Sequence, residues 1–236
     1  SPAFPAWCDT CLGGSQSLAL GSHPTIPGRV LAAIGFEFVR TPEMNWPGMI
    51  AISTDYGLTW NATQTPEPCG AMLEFAFSLS DPNWIYANGY AYDHVELLRS
   101  RDGGFTWEDI TPEFPIMGFT VAVNPTNPRI VFIAAYEAIY RSTDGGESWT
   151  AVGNIGDVRS MLYTPTNPPV LYAGGYNGLW RSLDDGLTWT LADGLLGDGS
   201  VLVRRLAFSQ DAERTVLYVG VAGAGDTTQL ITLSLE

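Results

Sequence analysis

Positive charge is what this sequence has least of: 11 Lys and Arg stand against 25 Asp and Glu in 236 residues, a formal net charge of −14. Such a surface repels phosphate backbones, which excludes nucleic acid as a partner, and it disfavours anionic membrane surfaces for the same reason. No apolar run is long enough to cross a bilayer, so no membrane insertion is expected. Cysteine is scarce as well, with Cys8, Cys11 and Cys69 only. Cys8-Asp9-Thr10-Cys11 has the C-x-x-C spacing, but no second pair follows to complete a zinc site, no His follows Cys11 for a haem, and no βαβ pattern supports a thioredoxin motif. No metal and no cofactor is expected. A disulfide from the N-terminal segment to Cys69 is the favoured pairing, with a local Cys8–Cys11 bridge or free thiols as alternatives. The absence of lysine and of any Ala-rich stretch leaves little to build helices from. The 26 Gly, 16 Pro, 8 Trp and 10 Tyr favour short strands and turns.

What is abundant is one eight-residue pattern, Ser-x-Asp-x-Gly-x-Ser/Thr-Trp. It occurs at Ser53–Trp60, Ser100–Trp107, Ser142–Trp149 and Ser182–Trp189. Apolar residues precede each copy, so each reads as a tight turn between two strands. Asp55, Asp102, Asp144 and Asp184 have short side chains able to accept hydrogen bonds from the turn's own amides. The Gly two residues on supplies a conformation that a Cβ resists. The Ser/Thr is expected to begin the next strand, and Trp60, Trp107, Trp149 and Trp189 to bury a ring beneath the turn. This explains the pattern structurally, without a ligand.

On these residues the chain resembles the Asp-box, or BNR, repeats of the β-propeller superfamily. That group includes sialidases, sortilin-type receptors, xyloglucanases and photosystem II assembly-factor propellers. The resemblance implies that each box lies between the third and fourth strands of a blade, away from any active site. It implies architecture rather than one activity.

A second repeat lies upstream of each box: two apolar strands around a Pro- or Asp-rich turn. Its copies are Ser17–Gly35, Leu73–Tyr90, Phe119–Tyr136, Val158–Tyr176 and Val203–Val221. Successive box aspartates are 47, 42 and 40 residues apart, the spacing of four-stranded propeller blades. The expectation is an all-β, five-bladed β-propeller in a single domain over 1–236. Its blades run approximately over 17–63, 71–110, 118–151, 158–191 and 201–236, with strand 3–8 supplying the missing fourth strand of the last blade. Trp7 would take the place of a box Trp. The alternative is a stretch of a larger propeller. A chain that begins at Ser1 is read as a mature or trimmed product, extracellular or periplasmic.

The face opposite the boxes carries the connections between second and third strands and the links between blades. Its candidate ligand-binding residues are Glu37, Tyr90, Tyr92, Asp93, His94, Tyr136, Glu137, Tyr176, Asn177 and Asp226. Aromatic rings beside acids and amides suit sugars, since rings stack on pyranose faces and carboxylates read hydroxyls. The plainer reading is that each Tyr caps a strand end. His23, in a turn, is expected to be exposed. The arginines form no obvious triad of the kind a sialidase site needs, and no catalytic residue is assigned. For a two-carboxylate glycosidase, Glu37, Asp93, Glu96, Glu137 and Asp226 are candidates by position. The first functional expectation is therefore a non-catalytic propeller recognising a protein partner. A carbohydrate-binding module or glycoside hydrolase comes second, with the oligomeric state left open.

Overall fold

The computed structural model describes residues 15–36, 48–66, 71–90, 95–114, 118–135, 138–192, 201–210, 214–222 and 228–235. Among these, every helix or strand element is a β-strand, and the strands form five antiparallel sheets. Sheet one is β1 (Ser15–Ser22), β2 (Val30–Phe36), β3 (Met49–Ser53) and β4 (Asn61–Ala62). Sheet two is β5 (Ala71–Phe77), β6 (Ile85–Tyr90), β7 (Val95–Ser100) and β8 (Glu108–Asp109). Sheet three is β9 (Gly118–Val123), β10 (Val131–Ala135), β11 (Ile139–Ser142) and β12 (Thr150–Gly153). Sheet four is β13 (Val158–Thr164), β14 (Val170–Gly175), β15 (Gly178–Ser182) and β16 (Thr190–Leu191). Sheet five has three described strands, β17 (Leu202–Gln210), β18 (Thr215–Ala222) and β19 (Thr228–Leu235). Strand order follows the chain in every sheet, as in a propeller blade. The proposed closing strand 3–8 and all three cysteines lie outside the described residues.

The chain divides into two compact units, Ser1–Pro115 with sheets one and two and Ile116–Glu236 with sheets three to five. Within the first, Leu31, Ala33, Ile50 and Ile52 of sheet one pack on Met72, Ile85, Ala87 and Leu98 of sheet two. Within the second, Phe132, Ala134 and Ile139 of sheet three meet Met161, Leu171 and Ala173 of sheet four. On the other side of sheet four, Tyr172 and Leu179 meet Val203, Leu217, Val219 and Val221 of sheet five. Successive side chains of β14 point to opposite faces, so Leu171 and Tyr172 serve different cores. That is why β14 reads as an apolar run rather than an alternation. Each buried Leu or Phe contributes about 1.5–3 kcal/mol.

The four boxes share one hydrogen-bond circuit. The serine hydroxyl donates to Asp Oδ1: Ser53 to Asp55 at 2.8 Å, Ser100 to Asp102 at 2.8 Å, Ser142 to Asp144 at 2.7 Å and Ser182 to Asp184 at 2.8 Å. The same hydroxyl accepts from the box glycine amide, at 2.8–2.9 Å from Gly57, Gly104, Gly146 and Gly186. Asp Oδ1 also accepts the amide of Thr59, Thr106, Ser148 or Thr188, and Oδ2 accepts that residue's hydroxyl. Serine is thus the hub of the turn, a role that its recurrence in the sequence did not reveal. The Ser/Thr does not begin the next strand, because its amide and hydroxyl are both committed to Asp; the fourth strand starts two residues later, as at Asn61 and Thr150.

The box glycine is left-handed, and so is the residue before it: Tyr56 and Asp185 have φ of 63° and 55°. In the other two boxes that preceding place is held by Gly103 and Gly145. In three boxes its amide donates to the Pro- or Asp-rich turn of the same sheet, Tyr56 to Gly28, Gly103 to Asn83 and Gly145 to Arg129, at 2.9–3.0 Å. In these three sheets both turns therefore lie at one end and are sewn together. The indoles of Trp60, Trp107 and Trp149 donate to their own box glycine carbonyl at 3.0–3.1 Å. Trp189 departs from this. Its Nε1 is buried with no partner among the described residues, and its ring lies so near Gly153 that a Cβ there would come within 2.9 Å of it.

His23 is not exposed. Only 8% of it is accessible, because its Nδ1 accepts the amides of Thr25 and Ile26 at 3.3 and 3.1 Å and its ring meets Phe77 of sheet two edge-on. Burial, then the charge of Arg29, lowers its pKa below 6.5.

Candidate functional site

The end of each sheet away from the boxes is the candidate surface. Of the ten residues picked from the sequence, Glu37, Tyr92, Asp93, His94, Tyr136, Glu137 and Asp226 lie outside the described residues. Tyr90 is the last residue of β6, paired with Val95. Tyr176 and Asn177 are described, and both are exposed.

Tyr176 and Asn177 form the two-residue turn between β14 and β15, closed by the Gly175–Gly178 pair. Gly178 has φ 92°, as a tight hairpin demands. The link from sheet three to sheet four, residues 154–157, runs beside this turn. The Tyr176 amide donates to the Asp157 carbonyl at 3.3 Å. Asn177 Nδ2 donates to the Ile155 carbonyl at 3.2 Å, and the Trp180 indole donates to the Asn177 carbonyl at 3.2 Å. Gly156, with φ 84°, lies so close to the Asn177 amide that a Cβ would collide with it.

The side chains on this turn make a small platform. Arg159 Nη2 donates to Asp157 Oδ2 at 2.7 Å, and the guanidinium carbon lies 5.2 Å from the Tyr176 ring centroid. The ring is 53% exposed. Asp157 Oδ1 is buried and has no hydrogen-bond partner among the described residues. The platform thus offers a half-open aromatic surface stiffened by a cation, a carboxylate that neutralises that cation, and an amide at the rim. It can stack on an apolar ligand face and exchange hydrogen bonds with hydroxyls. Asp157 and Arg159 were not among the sequence candidates. The available signal was the position of Gly156-Asp157 in a link between blades, on the face already singled out. Glu96, one of the carboxylates weighed for hydrolysis, is only 3% exposed on β7.

The box aspartates do not compete for this role. In Asp144 burial alone would raise the pKa, but the hydroxyls of Ser148 and Ser142 and the Ser148 amide outweigh it and hold the carboxyl at about 2. The four are structural acceptors, fully committed within their turns.

The BNR/Asp-box repeat family model matches residues 140–151, the third box. A xyloglucanase from Paenibacillus sp is 29% identical over 183 residues, which is 63% of this chain and 17% of that enzyme. An ancestral GH74 enzyme superposes with a TM-score of 0.69 at 20% identity, covering 94% of this chain and 30% of the other. YCF48 bound to D1 peptide superposes with a TM-score of 0.52 at 15% identity, covering 94% of this chain and 74% of that one. The chain therefore spans a fifth or less of the length of the curated relatives it matches. Its architecture is all-β, built of Asp-box propeller repeats.

Proposed function

We propose that this chain recognises a neutral polysaccharide of the xyloglucan type through the face opposite its boxes. The observation that carries the reading is the Tyr176 platform. A half-exposed ring is backed by Arg159, whose charge Asp157 cancels at 2.7 Å. A sugar ring stacks on such a surface, and the neutralised guanidinium leaves no net attraction for an anionic glycan. The −14 charge of the chain acts in the same direction, against uronate-rich polymers. A xyloglucanase among its relatives supports the substrate class. A polymer of this kind lies outside cells, which agrees with an extracellular or periplasmic protein.

The sequence alone put protein recognition first; the named relatives reverse the order. A peptide-bound neighbour, YCF48 with D1 peptide, keeps a protein partner as the second reading. Hydrolysis would need a second carboxylate facing Asp157 across a bound sugar, and recognition is the part that the described side chains support.

The test is calorimetric titration with xyloglucan oligosaccharides and, separately, with polygalacturonate, followed by assay for new reducing ends. Binding of the neutral glycan alone, lost in Tyr176→Ala, is the expected result. Binding that survives Tyr176→Ala would move the site elsewhere on the chain. A folded protein that binds neither polymer would remove the carbohydrate reading.

A further inference from the structure

Asparagine followed by glycine is a reactive pair. The glycine amide nitrogen can attack the asparagine Cγ, and a glycine, with no Cβ, lets the two approach. The sequence holds two such pairs, Asn88-Gly89 and Asn177-Gly178. The fold treats them differently. Asn88 is 3% exposed and lies in β6, where Gly89 is paired with Met72 on one side and Glu96 on the other. Asn177 is exposed at the tip of the β14–β15 hairpin. Gly178 belongs to the last pair of its ladder, opposite Gly175. Opening that one pair releases its nitrogen, whereas Gly89 is released only by parting β6 from two neighbours. Asn61 separates the two factors, being exposed but followed by Ala62.

We propose that Asn177 is a site of spontaneous covalent modification, which converts it to aspartate and isoaspartate and dismantles the Tyr176 platform. The Gly178 nitrogen forms a bond to Asn177 Cγ, the Cγ–Nδ2 bond breaks, and the proton lost by Gly178 departs with Nδ2 as ammonia. The product is a cyclic succinimide. One water from the solvent then opens the ring. Attack at Cγ leaves aspartate. Attack at the main-chain carbonyl leaves isoaspartate, with the chain now running through Cγ. No oxidant or reductant takes part.

Either product unmakes the turn. A carboxylate cannot donate, so the bond from Asn177 Nδ2 to the Ile155 carbonyl, 3.2 Å long, gives way to two facing oxygens. The Asn177 amide also fills the space beside Gly156, and the link between the sheets loses that support. Isoaspartate adds a carbon to the main chain of a two-residue turn, so the Gly175–Gly178 pair loses its register. Tyr176 belongs to the same turn, and its amide donates to the Asp157 carbonyl. The ring therefore parts from Asp157 and Arg159 when the turn is rebuilt. The loss of glycan binding rests on the reading of Tyr176 as a stacking ring; the chemistry at Asn177 does not.

The folded full chain is held in warm, mildly alkaline buffer, and samples are taken over time for peptide mapping by tandem mass spectrometry. Isoaspartate is read by enzymatic methylation of its carboxylate. Asn177 is expected to lose its amide while Asn61 and Asn88 keep theirs. In denaturant, Asn88 should join it and Asn61 should not. An Asn177 that reacts no faster than Asn61 in the folded chain would overturn the proposal, and so would an Asn88 that keeps pace with it there. Xyloglucan oligosaccharides are then titrated into fresh and aged protein, and into fresh and aged Asn177→Gln, whose longer side chain closes no such ring at that pace. The aged wild type is expected to lose affinity, and the aged variant to keep the value it had when fresh. Converted wild type that binds as the fresh protein does would overturn the loss of the platform. Fresh wild type that fails to bind while Asn177 still converts would remove the glycan reading and leave the modification site standing.

Discussion

The side-chain amide of Asn124 donates to Asp185 across 2.7 Å, though 61 residues separate them in the chain. Asn124 sits at 2% exposure in the Pro-rich turn of sheet three, and Asp185 in the box turn of sheet four. The Tyr163 hydroxyl donates to the same oxygen at 2.9 Å. A residue held at φ 55° by its own turn is thereby used as the acceptor that ties two sheets together.

Replacing Asp185 by Ala removes the acceptor for both donors. Each buried donor left without a partner costs about 1–3 kcal/mol, so a loss in that range or above is expected in urea unfolding. Burial, and then the Asp185 charge, raises the Tyr163 pKa. Asp185→Asn keeps an acceptor but removes the charge, and the phenolate should then form at lower pH by ultraviolet titration. An unchanged titration would mean that burial alone sets the Tyr163 pKa.

Ser142 accepts the buried Gly146 amide at 2.8 Å and donates to Asp144 at 2.7 Å. Ser142→Ala should cost about 1–3 kcal/mol for the orphaned amide and broken circuit. Thr143→Ala, one residue on and exposed, should fall within about 0.5 kcal/mol of wild type. Equal midpoints for the two variants would contradict the hub role of serine.

Acid should weaken the fold in two steps. The His23 pKa is lowered below 6.5 in the folded chain, so the unfolded chain takes up the proton first. Its contribution is complete above pH 6.5 and is lost as pH falls through the depressed folded value. The box carboxyls are lowered from 3.8, and their contribution is present above that pH and lost below it, for Asp144 down to about 2. His23→Asn places at this turn the residue that Asn124 provides in sheet three, where its Oδ1 accepts the amides of Thr126 and Asn127. It should erase the upper step in pH-dependent melting and leave the lower one in place.

Arg159 supports the exposed Tyr176 ring at 5.2 Å. If the platform binds a glycan, Arg159→Gln should weaken the affinity roughly two- to fivefold, the value of an exposed cation–π contact. Tyr176→Ala should weaken it far more. Calorimetry ranks the two, and the opposite ranking would count against stacking on the ring.

The box pattern carried the fold because it is local chemistry: Asp, Gly and Ser/Thr within eight residues determine a turn whatever surrounds them. The apolar strand pairs were legible for a similar reason, since Leu171 and Tyr172 on β14 are buried on opposite faces. The fate of His23 was not legible. A turn residue is exposed by default, and its burial comes from Phe77 on another sheet. Trp189 was misleading in the same way, since its ring answers to Gly153 of the preceding sheet rather than to its own turn. At the candidate site Tyr176 and Asn177 were found from their place between strands. Asp157 and Arg159 were not, because a link and a strand start meet that turn only in three dimensions.

Every bond of the serine circuit, in all four boxes, spans two to four residues. Closing so short a loop costs little chain entropy and happens on the microsecond scale of hairpins. Each turn is thus able to set its register before any sheet has found its neighbour. Docking of one sheet on the next is then the slow event, and it can start at any repeat. On this view, mutations in a box act on the rate of folding, while mutations such as Leu171→Ala act on the rate of unfolding. High φ-values at Ser142 beside low ones at Leu171 would record that order, and the reverse would place nucleation in the junctions.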